Sequence, residues 1–535
     1  MKSHNMKYIF IIFLLTVSWQ SAIAQQRPNV VTIYNADSTL VGTGILNNGM
    51  MEGLWKFENP QTNRLMQTIN FDQGRRDGLA VVFHSNGNRK LEAEYRNNKL
   101  NGFFREYDTT GALKLDRVFR DSVAIGPYKE YYGREGQPDF FNPRQLKVEG
   151  QFLDGKRNGR WVTYYNNGVM AVIQNFENGK QEGPYMEYDI YGELMLEASY
   201  KNDQPDGQFT RFGPGKMVEE KGEFKNGRRV GKWISYFPES KTIESERHFD
   251  NNGNRTGEWK FFYQNRRLAR TEKYENDIPV GTWEEFYPNR SLSKRKTYEL
   301  GLPVGDYIEN HSNGKVSVTG QYKNGVKDGL WRSFFPEGTL YSIGEYRNDL
   351  KTGLWKYFNK IGILIAEGEY LLGSENGQWV YYYDGGQLKS VGSYFLGFEN
   401  GVWGLFYDNK QLTQEETWSN GRLMNVGEYF SYDGSSTLDP GTLKDGNGTR
   451  ITYYTSGKKE SEGNYKSGKS EGLWIYFHEN GNKASEGQMV DGKKEGTWRY
   501  YNLNGRLEQI INFRDDEMVT EDDEMRSEIR FNRFD

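Results

Sequence analysis

Cysteine is absent from all 535 residues. That removes disulfides, thiolate metal ligands, cysteine nucleophiles and lipidated cysteines together. Aliphatic side chains are also thin: 36% of residues are hydrophobic while 15% are aromatic, and the mean hydropathy is −0.86. Large aliphatic-cored enzyme domains are not composed this way. No basic field is present either, because 69 Lys and Arg are interspersed with 73 Asp and Glu for a net charge of −4. Nucleic acid is therefore not an expected partner. Only one long apolar run exists, at residues 8–17, half of the roughly 20 residues needed to span a bilayer.

That run reads as part of a secretory leader over residues 1–24. Lys2 and Lys7 supply the positive start, and Ala22-Ile23-Ala24 is an A-x-A cleavage site ahead of Gln25. The expectation is an exported chain, periplasmic or extracellular. Loss of Lys2 and Lys7 would take the net charge from −4 to −6.

What the chain has in quantity is glycine, 62 residues against a usual share of about 7%, and the glycines are periodic. Anchors followed two residues later by an aromatic recur at Gly305, Gly329, Gly353, Gly377 and Gly401, each 24 residues apart. Extended both ways from Gly53 to Gly496, the pattern gives nineteen repeats, with thirteen of eighteen gaps equal to 24. Eleven of the thirteen tryptophans stand two residues after an anchor, among them Trp161, Trp233, Trp259, Trp283 and Trp331. Trp355, Trp379, Trp403, Trp474 and Trp498 continue the row. A fixed period of this length marks a repeat architecture.

Each repeat has the grammar of a β-hairpin: an aromatic strand, a turn at the eighth and ninth positions such as Asn313-Gly314, and a second strand bearing Gly-x-Tyr. Sixteen Asn-Gly dipeptides punctuate the chain. Asn-Gly favours the type I′ turn, which needs positive φ at both central residues. A two-residue loop there makes paired offsets sum to 17. Trp331 should then oppose Gly344 and Gly329 oppose Tyr346, with Trp355 opposite Gly368 and Gly353 opposite Tyr370. Trp379 against Gly392 and Gly377 against Tyr394 complete the series. A ring across from a glycine on one face is aromatic rescue, so these residues are expected to be scaffold.

The run Gly-x-Trp-x-x-Tyr, Asn-Gly, Glu-Gly-x-Tyr, Asn-Gly resembles the MORN repeat, in the variant found in YwqK-type antitoxin repeat proteins. The resemblance covers residues 42–505. It implies an all-β fold, an elongated array of antiparallel β-hairpins stacked edge to edge. It also implies scaffolding and partner binding, with membrane or lipid association in some members, and the antitoxin label implies neutralisation of a toxin.

Around the array the expected organisation is a lead-in at 25–41 and a charged cap or tail at 506–535. Two interruptions stand out. Residues 133–145 form an insert whose Phe140 and Phe141 are candidate partner-binding residues, although a tolerated surface loop is the ordinary reading. Residues 410–447 form an irregular seam in which Arg450 follows Gly448 where an aromatic is usual.

Catalytic, metal and cofactor roles find no support. His84, His311 and His478 all occupy the sixth position of their repeats, where others carry Tyr or Phe, which reads as substitution for a stacked aromatic. Glu92, Glu149, Glu197, Glu367, Glu462 and Glu486 sit just before the Gly-x-Tyr element. Neighbouring pairs could approach the ~5–10 Å of a glycosidase site, but a solvated charge ladder gives the same pattern. No nucleotide, hydrolase, zinc or calcium motif appears. The leading expectation is an exported, non-catalytic scaffold binding a protein partner along its β face. Binding of envelope carbohydrate or peptidoglycan through aromatic rows and immunity against an exported toxin remain open, and membrane-surface binding ranks last.

Overall fold

In the computed structural model, residues 30–35, 38–136, 142 and 144–519 are described. The expected leader at 1–24, the pair Phe140 and Phe141, and the acidic run beyond residue 519 lie outside them. The chain divides into two compact halves, residues 1–266 and 267–535. In the first, nineteen strands from Val30–Tyr34 to Gly257–Phe262 follow in sequence order, each antiparallel to the next. A single 3₁₀ turn at Pro214–Lys216 is the one departure among the described residues. In the second, strands run in the same manner from Leu268–Glu275 to Arg422–Val426.

One repeat suffices to explain the others. Strand Leu350–Phe358 turns back into Leu364–Leu371, with Gly353 opposite Tyr370, Leu354 opposite Glu369 and Trp355 opposite Gly368. The neighbouring repeats place Trp331 opposite Gly344 and Gly329 opposite Tyr346, and Trp379 opposite Gly392 and Gly377 opposite Tyr394. These are the pairs that the offset sum of 17 requires.

The turn that produces them differs from the expected one. In the loop after strand Leu302–Asn310, the Gly314 amide donates to His311 O at 2.9 Å and the His311 amide to Lys315 O at 2.8 Å. Gly314 has φ +84° while Asn313 is not among the positive-φ residues. This is a three-residue loop, a type I turn followed by a left-handed glycine. It pairs Asn310 with Val316, one step out of register. A bulge at Ser317 then restores Glu309 opposite Val318. The type I′ turns lie between repeats instead, as at Asn324-Gly325, where φ is +50° and +93°.

The ring that covers each glycine also differs from the expected one. Trp355 is across from Gly368 within its own hairpin, but a Cβ on Gly368 would overlap the ring of Trp379, in the next repeat. Gly344 lies likewise under Trp355 and Gly392 under Trp403. The same eleven-residue step joins glycine to tryptophan at nine places from Gly44 and Trp55 to Gly487 and Trp498. The reason is the anchor glycine. Gly353 takes φ +61° with open space around its Cα, adding residues to its strand between Thr352 and Lys356. That bulge tips the following ring back over the preceding strand.

Ten of the eleven rings in the row are held there by an indole hydrogen bond, and Trp331 Nε1 is buried without one. Trp355 Nε1 donates to Glu345 O at 3.2 Å and Trp379 Nε1 to Glu369 O at 3.0 Å. Tyr370 meets Trp379 edge-on, with centroids 5.2 Å apart at 87°, and Tyr394 meets Trp403 in the same way at 5.1 Å. Trp55, Trp233 and Trp498 are 0% exposed. Burial of a ring of about 200 Å² at ~25 cal/mol per Å² contributes roughly 5 kcal/mol before entropy.

The volumes under the rings co-vary. Where the ring is phenylalanine the covered residue is alanine, as Ala93 beneath Phe104 and Ala198 beneath Phe209. Where it is tyrosine a longer side chain fits, as Arg117 with Tyr128 and Gln174 with Tyr185. Trp283 has Glu272 at this position and is only half-buried.

The array is longer than its glycine pattern. Val30–Tyr34 pairs with Val41–Asn47, within the expected lead-in. Leu507–Arg514 pairs with Lys493–Tyr501, so the start of the expected tail is the second strand of the last hairpin. Regular pairing stops after Val426. A short hairpin, Tyr429–Phe430 with Thr437–Leu438, precedes seven further strands from Gly448–Tyr453 to Glu517–Met518. At this seam the glycine position is Glu416 and the ring position Arg450, and the guanidinium grips the carboxylate.

Gly368→Ala should lower stability by about 2 kcal/mol, through overpacking against Trp379. Adding Trp379→Phe, which recreates the Ala93 and Phe104 combination, should recover at least about 1 kcal/mol as coupling. Urea unfolding followed by circular dichroism measures both, and additive losses would show that the ring does not seat on Gly368.

Candidate interaction surface

The hairpins give the array two faces of opposite character. On the ring face, one side of nine tryptophans lies on glycine backbone and the other is often capped by a cation. Lys327 Nζ sits 4.5 Å from the Trp331 centroid, Lys351 Nζ 4.5 Å from Trp355, and Arg229 Cζ 4.1 Å from Trp233. Lys351 also lies 4.6 Å from Tyr370. Such contacts contribute about 0.5–2 kcal/mol each, and they occupy the ring faces that a sugar would need.

The opposite face carries the glutamates. Glu92 accepts from Tyr107 Oη at 2.7 Å, Glu149 from Tyr164 at 2.6 Å, Glu367 from Tyr382 at 3.0 Å and Glu486 from Tyr501 at 2.6 Å. In every case the phenol comes from the next repeat. Lys459 pairs with Glu462 at 2.6 Å and Lys483 with Glu486 at 2.7 Å, while Glu197 stands exposed between Met186 and Thr210. Burial and then the hydrogen bond to the carboxylate lift Tyr107 and Tyr164 to about 12. The Lys483 and Tyr501 bonds hold Glu486 below its ordinary range. For Glu486 this favours the charged form, the reverse of what a general acid requires.

The histidines take a tyrosine's place. Tyr165 Oη donates to Tyr188 O at 2.9 Å and Tyr383 Oη to Phe406 O at 2.8 Å, each 23 residues on. His311 Nε2 reaches Phe334 O at 2.8 Å, His478 Nε2 reaches Tyr501 O at 2.8 Å and His84 Nε2 reaches Tyr107 O at 3.0 Å. A neutral ring must carry its proton on Nε2 to do so. Among the described residues no group of three His, Asp or Glu is placed to hold a metal ion.

One buried carboxylate organises the insert. Asp108 is 2% exposed. Its Oδ1 accepts from the Thr110 amide and hydroxyl and from the Ala112 amide, at 2.6–3.0 Å. Its Oδ2 accepts from the amides of Arg134 and Glu135, at 2.6 and 3.1 Å. Burial alone would raise its pKa, but these bonds outweigh burial and lower it to about 2. The start of the insert is thus tied to the preceding repeat, while Phe140 and Phe141 lie outside the described residues.

Aliphatic residues that the ring pattern does not mark are also exposed. In the second half, Leu354 (51% exposed), Phe398 (56%) and Val402 (59%) stand open on the face away from the tryptophans, with Leu371 and Phe395 beside them. A sequence signal was available. Leu372 and Leu396, like Leu300, hold a turn position where most repeats place Asn or Asp, at φ +51° and +49°.

The MORN repeat variant matches at residues 76–97, 157–178, 303–324, 327–348, 375–395, 447–467, 470–491 and 494–515. The chain thus carries MORN repeats, and its fold is a repetitive sheet of antiparallel hairpins. No curated protein matches it. Among solved structures, a crystal structure of TcdB2-TccC3 without its hypervariable C-terminal region is similar over 91% of this chain. Identity there is 10% and the TM-score 0.12, and the match spans 31% of that chain.

His311→Tyr should keep the bond to Phe334 O and leave stability within about 0.5 kcal/mol. His311→Phe should lose about 1 kcal/mol, and equal losses in the two variants would rule out the donor role. Asp108 has a depressed pKa, so its stabilisation is complete above the ordinary carboxylate range near ~4 and disappears as pH falls through about 2. Asp108→Asn should cost about 2 kcal/mol at pH 7, and thermal melts should show that deficit shrinking below pH ~4. A deficit independent of pH would contradict this.

Proposed function

We propose that this chain is an exported, non-catalytic scaffold that binds a protein partner along the β face turned away from the rings. The observation that carries the reading is the asymmetry of the two faces. The ring face is closed by its own cations and edge-on tyrosines, whereas the opposite face displays periodic side chains at the first position after each anchor, such as exposed Arg160, Gln208 and Lys232. Periodic display on a stiff sheet suits a partner that makes many small contacts. The leader-like start at residues 1–24 supports action outside the cytoplasm. A glycan stacked on tryptophan is disfavoured, because those rings are covered. Neutralisation of an exported toxin is the special case in which the partner is a toxin.

Photo-crosslinking residues placed at 160, 208 and 232 in native cells should capture one and the same partner, from a cell fraction outside the cytoplasm. Capture only from ring-face positions such as 351, or retention of the whole chain in the cytoplasm, would overturn the proposal.

A further inference from the structure

The exposed apolar residues of the second half form a strip along one edge of the sheet, beside the turns that join repeats. Consider strand Ser374–Tyr382. On its open face it presents Ser374, Asn376 and Gln378, which are polar and uncharged. One strand to the left, Leu364–Leu371, offers Leu371 beside turn residue Leu372. One strand to the right, Leu388–Phe395, offers Phe395 beside turn residue Leu396. Two strands away on either side stand Leu350 with Leu354, and Phe398 with Val402. Pairings fix the common face: Leu354 is opposite Glu369, Asn376 opposite Glu369, Gln378 opposite Ser393 and Phe395 opposite Phe398.

The strip therefore has the same apolar pattern on both sides of one strand. From this symmetry we infer that the strip is the contact surface of a homodimer, with a two-fold axis parallel to strand Ser374–Tyr382. Rotation about that axis brings the strip face to face with itself while keeping the turn edges together. Leu371 and Leu372 of one copy meet Phe395 and Leu396 of the other, and Leu350 and Leu354 meet Phe398 and Val402. The charged member inside the strip, Glu369, meets Ser393 rather than another carboxylate, and the axis itself carries only Ser, Asn and Gln. Arg347 and Glu345 at one end meet Ser419 and Thr417. A two-fold interface must be self-complementary in this way, and two sheets packed face to face within about 30° are a standard arrangement.

Area and strain agree. Eight large side chains, each about half exposed, present on the order of 800 Å², which matches the ~800 Å² per partner of a stable interface. Leucine in left-handed turn positions costs roughly 1 kcal/mol relative to Asn or Gly. Leu372 (72% exposed) and Leu396 accept that cost for side chains that touch little of their own chain. A second copy also matches the strip's spacing of two strands, about 10 Å, by construction.

The test is sedimentation velocity of the full mature chain from ~1 to ~100 μM. A dimer is expected. Phe398→Asp should raise its dissociation constant at least 10-fold. The double variant Leu372→Asn, Leu396→Asn should do the same while its monomer melts no lower than the parent, because Asn suits both turns. Since the chain lacks cysteine, Asn376→Cys with a short bis-maleimide should give a covalent dimer, and Lys360→Cys, at the far turn edge, should not. A parent chain that stays monomeric at ~100 μM, or a dimer that persists in both variants, overturns the inference. So does a monomer that instead floats with phosphatidylcholine vesicles through the strip. Crosslinking at positions 160, 208 and 232 reads the partner face separately, so either result can fail alone.

Discussion

A tryptophan seated on the glycine eleven residues before it is the contact from which the rest of this structure follows. The core is one face of a sheet, so buried apolar area must come from side chains laid flat on backbone. Indole covers the most, and only a residue without Cβ lets it lie that close. Because the ring comes from the next repeat, this contact both buries surface and joins neighbours. Stability is then a sum over repeats and their interfaces. The volume series of Gly with Trp, Ala with Phe, and longer side chains with Tyr shows the same joint filled several ways within one chain.

The two glycines of a repeat serve different ends, and the sequence does not distinguish them. Gly368 has an ordinary φ and no room, whereas Gly353 has room and φ +61°. The first is needed for what lies above it, the second for the bulge it makes. Periodicity made the hairpins, their pairing and the ring row legible, because a 24-residue period overrides local ambiguity. Turn chemistry was less legible. Asn-Gly occurs as the type I′ turn at Asn324-Gly325, as the end of a three-residue loop at Asn313-Gly314, and as the residue before an anchor at Asn376-Gly377. The offset sum of 17 survived because the extra loop residue and the Ser317 bulge cancel. Which ring covers which glycine was not legible, since it depends on a bulge that hydrophobic pattern does not encode.

The seam shows what happens when the joint is rebuilt from charge. Glu416 and Arg450 take the glycine and ring positions across 34 residues rather than eleven, and both are withdrawn from water. Burial disfavours each charge, and the partner carboxylate restores the cation on Arg450. A salt bridge contributes less than buried indole, but it is directional, and an unpaired charge left here is costly. The turn ladder runs through the same region without a break, the Gly446 amide donating to Met424 O and the Gly468 amide to Gly446 O, each at 2.7 Å. Spacing between turns is thus kept while the ring contact is exchanged for an ion pair.

Closure of one face sets the terms for function. Rings, cations, edge tyrosines and indole donors satisfy each other, so substitutions there disturb neighbours on both sides. The other face carries side chains whose partners are few and local, such as a glutamate with one phenol or one lysine, and those positions vary from repeat to repeat without altering the backbone. Arg160, Lys232, Leu354 and Val402 are equivalent positions with different chemistry. The fold therefore fixes its geometry on one side and leaves the other free to vary, and a sheet face spreads its side chains apart where a cleft would make them converge.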